Sequence, residues 1–345
     1  MDMSNKRPKI GMIFPGQGSQ SLGMGKDLYD RERLMQEYFE EASNCLDNNF
    51  VRLCFASSER ELKETANAQT AIFLLSASIF ALLKEKYGII PDIVAGHSSG
   101  EYAALYAAGG LSFPDALYLL TKRSLFMEEA TCNNPGTMMA VLGIPHEVLD
   151  VICKKYDDPT SNQRVAQIVN YNAPGQLVVS GTLVELDDVA KAVRSFGGKV
   201  IPLNVAGAFH SRLMEAAEKL FAMYMIKVDF HDLGIPLVNN VQARHVYKNE
   251  EIKQSLVKQM SMPVLWWPAM QEFKDCDVII EVGPGGKLAK MLKREWPEKE
   301  VYAISNLAEL ETVLLRFDKV IEPAEDELDM VPDEPSAAKQ QEKMI

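Results

Sequence analysis

The sequence predicts an α/β fold: a mainly parallel sheet covered by helices on both faces, with a small antiparallel subdomain inserted into it. Three observations lead there. Short apolar runs alternate with helix-forming stretches, and several runs are apolar throughout, as strands buried on both faces are. A Gly-x-Ser-x-Gly pentapeptide, Gly96-His97-Ser98-Ser99-Gly100, sits between one such run and a helix. From residue 136 to 204 the order becomes strand–helix–strand–strand–helix–strand, the ferredoxin-like pattern.

The first strand is Lys9–Phe14, ending at the Gly/Pro-rich Pro15-Gly16-Gln17-Gly18-Ser19-Gln20. Such a loop suits close approach of backbone to a ligand, or is a plain turn, and it lacks the Gly-Lys-Ser/Thr ending of a phosphate loop. Residues 28–46 read as one amphipathic helix. Residues 67–83 read as a strongly apolar helix with the polar Gln69 in its first turn. Ile89–Ala95 reads as the strand that leads into the pentapeptide.

Strand, Gly-x-Ser-x-Gly and helix together are the form of a nucleophile elbow, whose tight turn leaves no room for bulk two residues before and after the nucleophile. Ser98 has glycine at both places, whereas Ser99 has His97 and Glu101. Ser98 is the candidate nucleophile; a surface loop before a helix is the competing reading. Ser112 with Pro114 signals the next helix start, and that helix carries Arg123, which by residue type alone belongs on solvated surface.

In the inserted pattern, strands are expected at 137–143, 165–170, 177–181 and 199–203, and helices at 146–155 and 184–196. A small-residue stretch then reaches His210 at the start of a helix over 211–226. A histidine there is usually structural, but a serine elbow requires a base. Strands at 236–241, 277–282 and 301–304 and helices at 253–260 and 287–294 return the chain to the main sheet. The domains follow: 1–135 with 205–320 as the discontinuous core, 136–204 as the ferredoxin-like subdomain, and 321–345 as an acidic tail or linker.

Composition narrows the function. A formal net charge of −12 argues against a nucleic-acid partner. Residues 322–345 hold eight acidic residues, two lysines and three prolines, the make-up of a disordered segment. No apolar run of membrane-spanning length and no signal peptide are read. Five scattered cysteines without Cys-x-x-Cys spacing argue against disulfides or a zinc site and for a reducing cytoplasm. No coiled-coil seam is apparent, so a monomer is expected.

Five segments in order carry a resemblance: Phe14–Gln20, Gly96–Glu101, Arg123, Ala208-Phe209-His210, and Glu281-Val282-Gly283-Pro284-Gly285. Over residues 9 to 318 the chain resembles the malonyl-CoA:acyl carrier protein transacylases, including stand-alone acyltransferases of fatty-acid and polyketide synthesis. The resemblance implies an α/β-hydrolase-like core with a ferredoxin-like insert. It implies Ser98 as the acylated serine and His210 as its base, oriented by the backbone carbonyl of Gln259 instead of an acid. The backbone N–H groups of Gln17 and Ser99 are the implied oxyanion hole. Arg123 is the implied carboxylate-binding residue, and Gln69, His97 and Phe209 are placed with it at the substrate.

Malonyl-CoA is then the substrate and the partner is an acyl carrier protein bearing phosphopantetheine, with no metal or resident cofactor. A guanidinium fork suits the carboxylate that distinguishes malonyl from acetyl. Ser99 departs from the leucine common in malonyl-selective members and is expected to make the pocket wall smaller and more polar. Two alternatives are weighed: an acyl-thioester hydrolase on the same fold, against which Arg123 speaks, and a silent scaffold that binds carrier proteins.

Overall fold

The computed structural model describes residues 7–321. Six strands form one sheet: β1 (Ile10–Phe14), β2 (Ile93–Gly96), β7 (Leu237–Val238), β8 (His245–Val246), β9 (Val278–Val282) and β10 (Glu300–Ile304), in the order β10-β9-β1-β2-β7-β8. All neighbours are parallel except β7 and β8. The α/β expectation with a mainly parallel sheet is borne out.

The all-apolar strands have the reason expected of them, since both faces are covered. Met12, Phe14, Val94 and Ile280 pack into one cluster with the helix Thr65–Glu85, while Ile13, Ala95, Val238 and Ile279 pack into another against Trp266, Phe273 and Leu292. Gly11 is required here, because a Cβ would lie 2.5 Å from the Phe273 ring. The Thr65–Glu85 helix is long and apolar enough to pass for a membrane span, contrary to the sequence reading, yet most of it is packed inside the core. A helix apolar on every side is buried by its neighbours.

The remaining strands, β3 (Thr137–Leu142), β4 (Ala166–Ala173), β5 (Gln176–Gly181) and β6 (Lys199–Pro202), form an antiparallel sheet in the order β4-β5-β3-β6. The helices His146–Tyr156 and Leu183–Ser195 cover one face of it through Leu149, Ile152, Leu186 and Val189. This is the split βαβ arrangement the sequence pattern calls for.

The structure corrects several local expectations. The helix expected over 28–46 is two, Lys26–Arg31 and Arg33–Leu46, parted by an extended Glu32. Glu32 is buried and its carboxylate receives Lys86 at 2.9 Å, a contact no local pattern encodes. The strand expected from Ile89 begins only at Ile93, because the Asp92 carboxylate turns back to take the Ile10 N–H at 2.8 Å. The strand expected over 236–241 stops at Val238, since Asn239 and Asn240 leave the sheet to serve as side-chain partners. β8 and the helices Phe50–Phe55, Glu59–Lys63, Trp266–Met270 and Leu307–Arg316 were not foreseen. The acidic stretch from Glu322 lies outside the described residues.

Candidate active site

The loops that follow β1, β2 and β9 meet at the carboxyl edge of the main sheet, where open α/β sheets place their ligands. The turn after β2 is as tight as the glycine spacing implies. A Cβ on Gly96 would lie 2.0 Å from the Gly100 carbonyl carbon, and one on Gly100 would lie 2.3 Å from the Phe14 oxygen. Ser98 between them has φ of 53°, in the left-handed region that a serine enters only when its surroundings hold it there. Asn240 is the holder. Its side-chain oxygen accepts the Ser98 N–H at 2.7 Å and its amide donates to the Gly96 carbonyl at 2.6 Å.

The Ser98 hydroxyl lies 2.7 Å from Nε2 of His210, which itself sits at φ of 62°. Nδ1 of His210 faces the main-chain carbonyl of Gln259 at 2.7 Å. A carbonyl can only accept, so Nδ1 carries the proton and Nε2 is left to accept from Ser98. Burial, followed by the positive charge of Arg123, lowers the His210 pKa to about 3, so the ring is neutral at physiological pH.

Arg123 is completely buried, not solvated as its residue type suggests. One terminal nitrogen donates to Gln69 Oε1 at 2.7 Å; the other donates to Gln259 Oε1 at 3.1 Å and to Ser98 Oγ at 3.2 Å. These partners are two amides and a hydroxyl, none of them anionic. Burial pushes its pKa below the usual arginine value, yet a guanidinium stays charged. The Gln69 amide is in turn set by Gln17, whose Oε1 accepts from Gln69 Nε2 at 3.1 Å.

Ser98, His210, Arg123, Gln69, Gln17, His97 and Phe209 all line one cavity of about 410 Å³, closed on its other side by Met138, Asn170 and Val178 of the antiparallel sheet. Gln259 reaches this group from behind. Within the described residues no hydrogen bond uses the backbone N–H of Gln17 or of Ser99. His97 Nε2 lies 2.9 Å from Asn172 Oδ1, and burial lowers its pKa.

Ser99 overturns one expectation. Its side chain does not line the cavity; the buried hydroxyl has no hydrogen-bond partner among the described residues and lies on the side of Gly16. The Ser99 side chain therefore contributes nothing to the cavity wall. Sequence reasoning also missed Asn240 and Asn172, and it quoted Glu101 without a role. The one available signal for Asn240 was a pair of amides, Asn239-Asn240, at the end of an apolar run.

The acyl transferase domain family model matches residues 12–311. The chain belongs to this family. This acyltransferase is 37% identical over 309 residues to the malonyl CoA-acyl carrier protein transacylase of Bacillus subtilis, covering 89% of this chain and 96% of that protein. A transacylase of the same name from Staphylococcus aureus is 37% identical over 305 residues, covering 88% of this chain and 97% of that protein. Among solved structures, it superposes with a TM-score of 0.85 on a malonyl-transacylase in complex with a type II polyketide acyl-carrier protein, at 32% identity and covering 89% and 99% of the two chains. The corresponding enzyme from Streptococcus pneumoniae gives a TM-score of 0.83 at 37% identity, covering 89% of this chain and all of that one, 100%.

Proposed function

We propose that this acyltransferase moves a malonyl group from malonyl-CoA to the phosphopantetheine thiol of an acyl carrier protein through a malonyl ester of Ser98. One observation carries the choice of acyl group. Arg123 places a buried guanidinium 3.2 Å from the Ser98 hydroxyl and has only neutral partners. A buried cation whose direct hydrogen-bond partners are all neutral favours an acyl chain ending in a carboxylate, because an uncharged chain gives it no charged partner in the cavity. The names of the relatives point the same way.

In the first half-reaction Ser98 Oγ attacks the thioester carbonyl while its proton passes to His210 Nε2. The carbonyl oxygen becomes the oxyanion and is received by the free N–H groups of Gln17 and Ser99; one such donor is worth roughly 10²–10³ in rate. Collapse expels the CoA sulfur, which takes the proton from His210. In the second half the carrier's thiol gives its proton to His210, attacks the Ser98 ester and regenerates the serine. Every proton taken is returned within the cycle, so only the acyl group changes hands. Five free cysteines among the described residues suit the reducing cytoplasm in which we place the enzyme.

The test is intact mass after brief exposure to malonyl-CoA, acetyl-CoA and methylmalonyl-CoA in parallel. A malonyl adduct on the wild type, absent from Ser98→Ala, is the expected result. Release of free CoA with no adduct on any thioester would replace transfer with hydrolysis.

A further inference from the structure

Directly behind the nucleophile elbow lies Glu101, a wholly buried carboxylate on the first turn of the helix Gly100–Ala107. Its Oε2 accepts Gln259 Nε2 at 2.9 Å and the Asn240 backbone N–H at 3.1 Å, while Oε1 has no partner among the described residues. The Gln259 amide therefore has two different ends. Its nitrogen is committed to Glu101 and, at 3.0 Å, to the Ser98 carbonyl, so its oxygen must point the other way, onto Arg123 at 3.1 Å.

An amide can rotate, and the wrong orientation would set its N–H₂ against a guanidinium that offers only donors. Two acceptors prevent this, the Ser98 carbonyl and Glu101 Oε2, and the latter accepts whether or not the other carboxyl oxygen carries a proton. Resting on the malonyl-transfer reading above, we propose that Glu101 is a positioning residue for acyl selection: by holding the Gln259 nitrogen it turns the Gln259 oxygen onto Arg123 and fixes the guanidinium beside Ser98. Glu101 never touches the substrate. It acts on the acyl carboxylate through two intervening side chains, and only acyl groups that bear a carboxylate feel its loss fully.

The experiment compares acylation rates of Ser98 by malonyl-CoA and by the neutral ester p-nitrophenyl acetate, in wild type, Glu101→Ala, Glu101→Gln and Arg123→Ala with and without Glu101→Ala. The expected result is a malonyl-to-acetyl rate ratio that falls about tenfold in Glu101→Ala. In Glu101→Gln the ratio returns to within about threefold of wild type, because the new carbonyl still accepts from Gln259. In the Arg123→Ala background, Glu101→Ala leaves the ratio where Arg123→Ala has put it. Equal losses toward both acyl donors, or an unchanged ratio in Glu101→Ala, would reduce Glu101 to a structural support of the elbow. A wild type that forms no Ser98 adduct with malonyl-CoA would instead sink the transfer reading itself, which keeps the two failures apart.

Discussion

His210 is oriented by the main chain of Gln259: its Nδ1 lies 2.7 Å from that residue's carbonyl oxygen, while the Gln259 side chain serves Arg123. One residue thus supports both the proposed base and the proposed carboxylate clamp, by different parts, and substitution can separate them. In Gln259→Ala the carbonyl survives and the amide is lost. Acylation of Ser98 by a neutral ester should fall by less than about tenfold, and acylation by malonyl-CoA by about a further tenfold. The buried Glu101 oxygen and Ser98 carbonyl lose a donor, a cost of about 1–3 kcal/mol. His210→Ala removes the base for both donors, and both rates should fall at least about 10²-fold. Stopped-flow acylation with the two donors checks the pair; parallel losses in Gln259→Ala would mean that its side chain contributes nothing to selection.

The pH profile follows from the same histidine. An imidazole of ordinary pKa, near 6.5, would lose its basic form as the pH fell through that value. His210, lowered to about 3, keeps it, so acylation by a neutral ester should stay flat from pH 8 down to about 5. Arg123 is the second cause of that lowering, so in Arg123→Ala the acid limb should move upward. The stability effect has a definite sign. Below about 6.5 the unfolded chain protonates this histidine and the folded chain does not, so stability drains away as the pH falls toward 3, by up to about 1.4 kcal/mol per unit. Glu101, whose burial raises its carboxyl to about 7, works oppositely: its contribution, present below about 4.5, is lost as the pH rises through 7. His210→Ala should therefore lose less stability between pH 7 and 5 than the wild type, read as the difference in Tm at the two values.

Much of this site was legible in the sequence because its geometry is local. Gly96 and Gly100 announce a turn with no room for Cβ atoms, and that turn picks Ser98 over Ser99 without reference to the rest of the chain. Ser112 caps its helix by accepting the Asp115 N–H at 3.2 Å, as its place before Pro114 implies. What stayed hidden depends on distant partners. Arg123 looks like a surface residue until Gln69 and Gln259, far away in the chain, close around it. Glu32 breaks a helix through Lys86, and Asn240 leaves its strand for Gly96, and neither contact leaves a periodic trace. The Ser99 expectation failed for a related reason: a side chain beside the nucleophile in sequence points behind the loop in space.

Asn240 makes the strain at Ser98 testable. Its two side-chain bonds, at 2.7 and 2.6 Å, tie the Ser98 N–H to the Gly96 carbonyl at the start of the same turn. In Asn240→Ala both groups lose a buried partner, about 2–6 kcal/mol together, and the left-handed Ser98 backbone loses its restraint. We expect Tm to fall by several degrees and acylation by both malonyl-CoA and p-nitrophenyl acetate to fall equally, by about 10–100-fold. A drop in Tm with full acylation rates would show that the elbow holds its shape without Asn240.

The two elbow glycines set the harshest limit. An added Cβ on Gly96 would sit 2.0 Å from Gly100, and main-chain atoms on both sides of the turn cannot give way as a flexible side chain would. Gly96→Ala must therefore either open the turn, moving Ser98 away from His210, or push the helix Gly100–Ala107 off β1 and β2, against which it packs. Either route destabilises by more than an ordinary core substitution, on the order of 4 kcal/mol or above. Gly18, where a Cβ would meet nothing within 4 Å, has a φ of 96° and so carries only backbone strain, about 1–3 kcal/mol. Measured by chemical denaturation, Gly96→Ala should be the more damaging of the two and should abolish the acyl adduct wherever it folds. Folded Gly96→Ala with a normal adduct would mean that the chain has room in this turn that its atoms do not show.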